Sequence, residues 1–355
     1  MAYLITIIIL CIGFDFINGF HDAANSIATV VSTKVLTPVQ AVVWAASFNL
    51  IAFFLAKYLI GFGVAETVQK TVDTQMVATT PMGIEMIMPI MIGGIVAAIL
   101  WSLFTWWKGI PSSSSHTLIG GLVGAAVAAC GWRAVMWSTV GKIALFIVAA
   151  PLIGFISGNI IMILTTWVFR RSKPHKMDKW FRRLQLLSSA FLSLGHGLND
   201  STKEIGVIAC ALFAYRQTRA DLPHWLQPTE HLAEQGIAIP EWIAFACFTA
   251  IAIGTMSGGW RIIKTMGNKI TKITPVEGFC AQTAGSLAIA VSQIFKIPVS
   301  TTHVISGSIM GVGSVKRLSA VRWGVSIDMV TAWVLTIPVS ALIGAASYML
   351  VSIFI

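Results

Sequence analysis

One hydroxyl-rich element occurs twice in this chain. Pro111-Ser112-Ser113-Ser114-Ser115-His116 returns 187 residues later as Pro298-Val299-Ser300-Thr301-Thr302-His303. Each copy follows an isoleucine, Ile110 or Ile297. Each runs into a helix of small residues, with Gly120, Gly121 and Gly124 in one copy and Gly307, Ser308 and Gly311 in the other. The offset holds without a gap to Pro151 and Pro338. The sequence around both copies is strongly apolar, and an unpaired polar group in an apolar medium costs several kcal/mol. Serine and threonine also serve as packing residues and bond back to helix carbonyls. Duplication at two equivalent tips favours a binding role over that plain one.

The surroundings decide the class. Of 355 residues, 56% are hydrophobic and 11% charged, against about 25% charged in a soluble domain. Apolar runs of membrane-spanning length recur throughout, so the chain reads as an all-α polytopic membrane protein. The net charge of +10 sits in short loops and reads as topology, with basic loops kept cytoplasmic, not as nucleic-acid binding. Cys11, Cys130, Cys210, Cys247 and Cys280 lie in apolar stretches without metal-ligand spacing and read as core residues. The N-terminal run carries no basic n-region and reads as a retained first helix, not a signal peptide.

Two long apolar segments carry polar interruptions. Residues 2–33 contain Asp15 and Asn18-Gly19-Phe20-His21-Asp22-Ala23-Ala24-Asn25-Ser26, and residues 184–215 contain His196-Gly197-Leu198-Asn199-Asp200-Ser201-Thr202-Lys203-Glu204. Each predicts a helix broken at its glycine, the polar residues turned inward. Residues 170–183 hold seven Lys or Arg and predict a cytoplasmic linker between two halves, 1–169 and 184–355. Counting spans outward from that linker, a hairpin over 83–131 enters from outside and one over 276–315 from inside. The halves then form an inverted-topology repeat with two broken helices and two re-entrant hairpins, the tips meeting near the midplane. Lys108 and Lys296 are left at depth. Asp15 and Asp328 read as bundle-interior or snorkelling groups, Glu277 as the start of the second hairpin.

Aligning the two helices on Gly-x-x-Asp pairs Asp22 with Asp200 and Asn25 with Lys203. Each half then supplies a carboxylate, freed backbone N–H groups and a hydroxyl-rich tip. Hydroxyls and free N–H groups suit a tetrahedral oxyanion; carboxylates suit a co-transported cation or a proton. A lysine ammonium has three donors and no acceptor, so Lys203 cannot ligate sodium. It serves either as a tethered partner for Asp200, three residues back, or as a direct ligand of the anion. No GxxxxGK[ST] motif is present, so transport is expected to be secondary, without a cofactor. His116 and His303 either fix their tips through a carbonyl or touch substrate. A passive channel would need a continuous polar path. An intramembrane enzyme would not need two symmetric copies of Ser and His.

Asn18–Ser26, His196–Asp200 and the two tips together resemble the inorganic phosphate transporter (Pit) family over nearly the whole chain. His21 and Lys203 stand where many members have Asn, which resembles the bacterial low-affinity branch, associated with proton-coupled movement of phosphate or metal–phosphate. The sodium-driven branch keeps the Asn residues, and the family also includes sulfate permeases. The resemblance implies a multi-pass homodimer of the bacterial cytoplasmic (inner) membrane that takes inorganic phosphate with a proton or sodium. Its expected substrate-binding set is Asp22, Asn25, Ser113, Ser114, Ser115, Thr117, Asn199, Asp200, Lys203, Ser300, Thr301 and Thr302. His21, Asp22, Asp200 and Glu204 are expected to serve coupling.

Overall fold

The computed structural model describes residues 1–80, 83–218 and 221–353. The described residues form fourteen α-helices. The first seven are α1 (Ala2–Ser32), α2 (Pro38–Leu55), α3 (Gly63–Gln69), α4 (Thr74–Ala78), α5 (Ile87–Lys108), α6 (Ser114–Cys130) and α7 (Trp137–Val168). The others are α8 (Pro174–Thr218), α9 (Glu230–Glu234), α10 (Glu241–Ser257), α11 (Trp260–Lys264), α12 (Pro275–Ile294), α13 (Thr301–Lys316) and α14 (Trp323–Ser352). Among the described residues, five helical stretches are long and apolar enough to cross a bilayer: Ala2–Ser32, Pro38–Ile60, Gly83–Lys108, Trp137–Val168 and Trp323–Ser352. Glu241–Ser257 and Trp260–Lys269, bent by 60°, make a sixth if taken as one span.

Local signals set several boundaries. Thr37 and Gln40 close a capping box on α2, with Pro38 in its first turn. Thr274 and Glu277 do the same for α12 behind Pro275. Glu277 also pairs with Lys316 at 2.7 Å, so its role at the head of this hairpin is to cap and tie the helix.

The interrupted helices depart from expectation. Neither α1 nor α8 is broken; each runs unbroken through its polar segment. Their glycines serve close approach instead. A Cβ on Gly19 would run into the Ile251 carbonyl of α10, and one on Gly197 would press on Asn49 and Ala52 of α2. His21, Asp22, Asn25, Asn199, Asp200 and Lys203 find side-chain partners without any opening of the backbone, while Asp15, Asn18, Ser201 and Glu204 stay buried without them. The basic stretch 170–183 is likewise no separate linker, because α8 begins at Pro174 and carries its second part straight into the core.

The two hairpins repeat each other in detail. Gly109 and Lys296, 187 residues apart, both take positive φ, 69° and 55°. Ile110 N–H donates to Thr105 O, and Ile297 N–H to Ser292 O. A threonine hydroxyl then fixes each elbow, Thr265 to Gly109 O and Thr67 to Lys296 O. Ser113 and Ser300 each accept from the N–H three residues on, at 3.2 Å in both cases. Lys108 and Lys296, expected at depth, both have exposed side chains. Lys108 lies over Trp107, and Lys296 pairs with Glu66 at 3.2 Å. Asp328 is exposed as well.

Packing is crosswise. Helix α6 lies against α14, and α13 against α7. Gly120 and Gly124 abut Ile337, Ser340 and Ala341, while Gly307 and Gly311 abut Pro151 and Phe155. Helix α1 packs on α10, and α8 on α2. Both hydrophobic clusters draw residues from before and after position 170.

Candidate functional site

The tip after each elbow is extended and returns toward the core. Ser112 Oγ lies 2.8 Å from Thr105 Oγ1, so the chain has come back about one helical turn along α5 before α6 starts. Helices α6 and α13 then begin at Ser114 and Thr301. Their first-turn N–H groups have no intrahelical acceptor, and such a start favours anions. The free N–H groups expected from breaks in α1 and α8 are therefore supplied here, by the tips.

The tips meet. The rings of His116 and His303 have centroids 4.9 Å apart, and Ser115 Oγ donates to Val299 O at 3.4 Å. Trp333 of α14 holds both tips, donating from Nε1 to Pro111 O at 2.9 Å and lying 4.1 Å, centroid to centroid, from His303.

Two carboxylates flank the junction. Asp22 Oδ1 is 2.7 Å from His21 Nδ1, and its Oδ2 accepts from Ser114 Oγ at 3.3 Å. His21 Nε2 reaches Thr105 at 3.1 Å and Ser112 at 3.4 Å. Asp200 Oδ1 takes Lys203 Nζ at 2.9 Å and Asn199 Nδ2 at 2.7 Å. Its Oδ2 lies 3.0 Å from His196 Nε2 and accepts from Thr301 Oγ1 at 3.5 Å. Lys203 completes its three bonds on Ser114 Oγ and Ser115 Oγ, at 2.9 and 3.0 Å. Asn25 Nδ2 donates to Thr301 and Thr302, and Asn199 Nδ2 donates to Val299 O at 2.9 Å. Asn25 Oδ1 and Asn199 Oδ1 have no hydrogen-bond partner. All these site side chains are buried, none more than 4% exposed.

All twelve substrate candidates thus lie on the tips or on the two helices beside them, though not all in the same capacity. Ser113 and Ser300 oxygens cap their helices and keep an O–H to donate. Thr117 has given its proton to Ser113 O at 2.7 Å, so it has none for an anion. Glu204 makes no bond to either tip, and both its carboxylate oxygens lack a hydrogen-bond partner. Ligand atoms of Asp22, His196 and Asp200 fall within 4.8 Å of one another, but the Lys203 ammonium already sits on Asp200. Ser112 and His196, which lie in the motifs but outside the expected site set, join the network, and so does Thr105. The signal for His196 was its place one residue before the aligned glycine; Thr105 gave none.

The phosphate transporter family matches the chain over residues 18–344. The chain is 44% identical over 345 residues to a protein of Rhizobium meliloti (strain 1021) described as "Probable low-affinity inorganic phosphate transporter", covering 97% of this chain and 95% of that one. A Bacillus subtilis (strain 168) protein of the same description is 41% identical over 348 residues, covering 98% and 97%. A solved structure described as "The sodium-dependent phosphate transporter" shares the fold, with a TM-score of 0.84 over the whole of both chains at 24% identity.

Proposed function

The chain belongs to the phosphate transporter family, and on that premise we propose that it is a secondary transporter importing inorganic phosphate together with protons. It is a transporter and not an enzyme, like the relatives it matches. The observation that carries the coupling is the Lys203 ammonium, whose three donors rest on Asp200, Ser114 and Ser115. A cation bound at Asp200 would have to share that place with a fixed positive charge. The fixed charge balances Asp200 only. An entering phosphate adds negative charge beside Asp22, and an uncompensated buried charge costs several kcal/mol. A proton carried on the phosphate, on the His21–Asp22 pair or on Glu204 removes that penalty.

Phosphate would be held by Ser114, Ser115, Thr301, Thr302 and the first-turn N–H groups of α6 and α13, with Lys203 as point charge. Asp22, Asp200, Asn25 and Asn199 accept or donate around it, and Ser113 and Ser300 shape the tips. A phosphate that keeps a proton can donate to a carboxylate; sulfate cannot, and the mismatch leaves a buried group unpaired. The halves 1–169 and 184–355 are read as an inverted repeat. Their hairpins re-enter from opposite faces, and the site alternates in access near the midplane of a bacterial inner membrane, in a homodimer.

The test is labelled phosphate uptake into proteoliposomes, with and without divalent metal. Uptake follows an inward proton gradient, is indifferent to replacing sodium with choline, and is weakly competed by sulfate. Strict sodium dependence would remove the proton reading; equal competition by sulfate would remove the assignment of the anion.

A further inference from the structure

Two carboxyl groups stand apart from the bonds to the tips. Asp15 lies seven residues before Asp22 on α1, and Glu204 follows Lys203 on α8. Both are fully buried, and they interact across the contact between the two helices. None of their four oxygens makes a hydrogen bond of ordinary geometry. Lys203, the cation that acts on both, has its donors engaged elsewhere. The other titratable groups facing the pair are Cys11 from α1, Cys247 from α10 and Asp200 from α8, and none of these brings positive charge. Asn18 and Ser201, one turn from each carboxyl on its own helix, are also fully buried with unpartnered polar atoms.

Two ionised carboxylates side by side in a low dielectric repel strongly. One proton between them removes a charge and supplies the donor for a short O–H···O⁻ bond. We propose that Asp15 and Glu204 form a proton-binding site distinct from the anion-binding residues, and that it carries the co-transported proton. The proposal rests on the proton-coupled reading above and adds the place where the proton rides. Loading protonates one carboxylate from the side that phosphate enters. Release to the other side restores the carboxylate, so one proton crosses and nothing else is consumed. Seven residues of α1 separate this pair from Asp22 by about 10 Å, with Asn18 between them. The pair loses one negative charge as phosphate brings one, so the core changes its net charge less than either event alone would.

The test uses full-length protein in proteoliposomes and two readouts. In infrared difference spectra against pH, wild type shows the C=O stretch of a buried carboxylic acid. Asp15→Asn and Glu204→Gln each remove or shift that band, and Asp22→Asn leaves it. In transport, Asp15→Asn still exchanges labelled phosphate at equal pH but loses accumulation driven by an inward proton gradient. Survival of the band in both variants would overturn the proposal, as would gradient-driven accumulation by Asp15→Asn equal to wild type. If Asp15→Asn fails to fold, the band in Glu204→Gln decides. A wild type that exchanges no phosphate contradicts the phosphate reading instead, and leaves the infrared result standing.

Discussion

Asn25 and Lys203 each hold the tip that belongs to the other half of the chain. Asn25 Nδ2 donates to Thr301 and Thr302 at 3.1 and 3.0 Å, and Lys203 Nζ donates to Ser114 and Ser115 at 2.9 and 3.0 Å. Each sits three residues after an aspartate, Asp22 or Asp200. The latches are equivalent in position and unequal in chemistry, because one is neutral and the other charged.

Lys203→Asn removes the partner of a buried carboxylate. Breaking one side of such a pair costs about 3–5 kcal/mol, so thermal unfolding in detergent should move down sharply and uptake should fall. Adding Asp200→Asn removes the stranded charge. The double variant is expected to recover most of the melting temperature and none of the uptake. Equal melting of the single and double variants would show that the pair does not carry this stability.

Asp22→Asn and Asp200→Asn keep side-chain volume and remove the charge. Asp22→Asn is expected to reach the membrane in wild-type amounts, Asp200→Asn in lower amounts because it strands the buried Lys203 ammonium, and both to lose phosphate uptake per inserted molecule. Asp22→Asn leaves the ion pair of α8 in place and should melt near wild type. Retained uptake in either variant would take that carboxylate out of the substrate pathway.

Gly19→Ala tests close approach against a helix break. A Cβ there meets the Ile251 carbonyl, and overpacking of this kind costs about 1–3 kcal/mol. Gly13→Ala, on the same helix with nothing within 4 Å of the added atom, is expected to be neutral or slightly stabilising. A Gly19→Ala protein as stable as Gly13→Ala would show that α1 and α10 do not need this contact.

Single cysteines test the sidedness of the halves. Cysteine at exposed position 225 should react with an impermeant thiol reagent from outside sealed cells, and one at exposed position 176 should not. Cys11, Cys210, Cys247 and Cys280 are buried, and the partly exposed Cys130 is replaced by serine so that it adds no background. Labelling of position 176 from outside would overturn the inverted orientation.

The duplicated tips, the aspartate in each polar helix and the Lys203–Asp200 pair were readable because each rests on local spacing. The continuity of α1 and α8 was not. A glycine inside a polar cluster looks the same whether it opens a backbone or admits a neighbour, and the neighbours of Gly19 and Gly197 lie far away in sequence. The crosswise packing was hidden for the same reason: small residues on α6 and α13 announce a close partner without saying which. Thr105 is one of two hydroxyl residues, with Ser102, in the apolar α5, and only the fold places it against His21.

The unequal latches load the two tips differently. Charge-assisted hydrogen bonds are roughly twice as strong as neutral ones, so the hold of Lys203 on Ser114 and Ser115 is stronger than that of Asn25 on Thr301 and Thr302. Drawing the first tip away from α8 would therefore take more work than drawing the second away from α1. An anion that competed with the two serines for the ammonium would narrow that difference, and on the transport reading proposed above binding would then even out what the sequence made unequal.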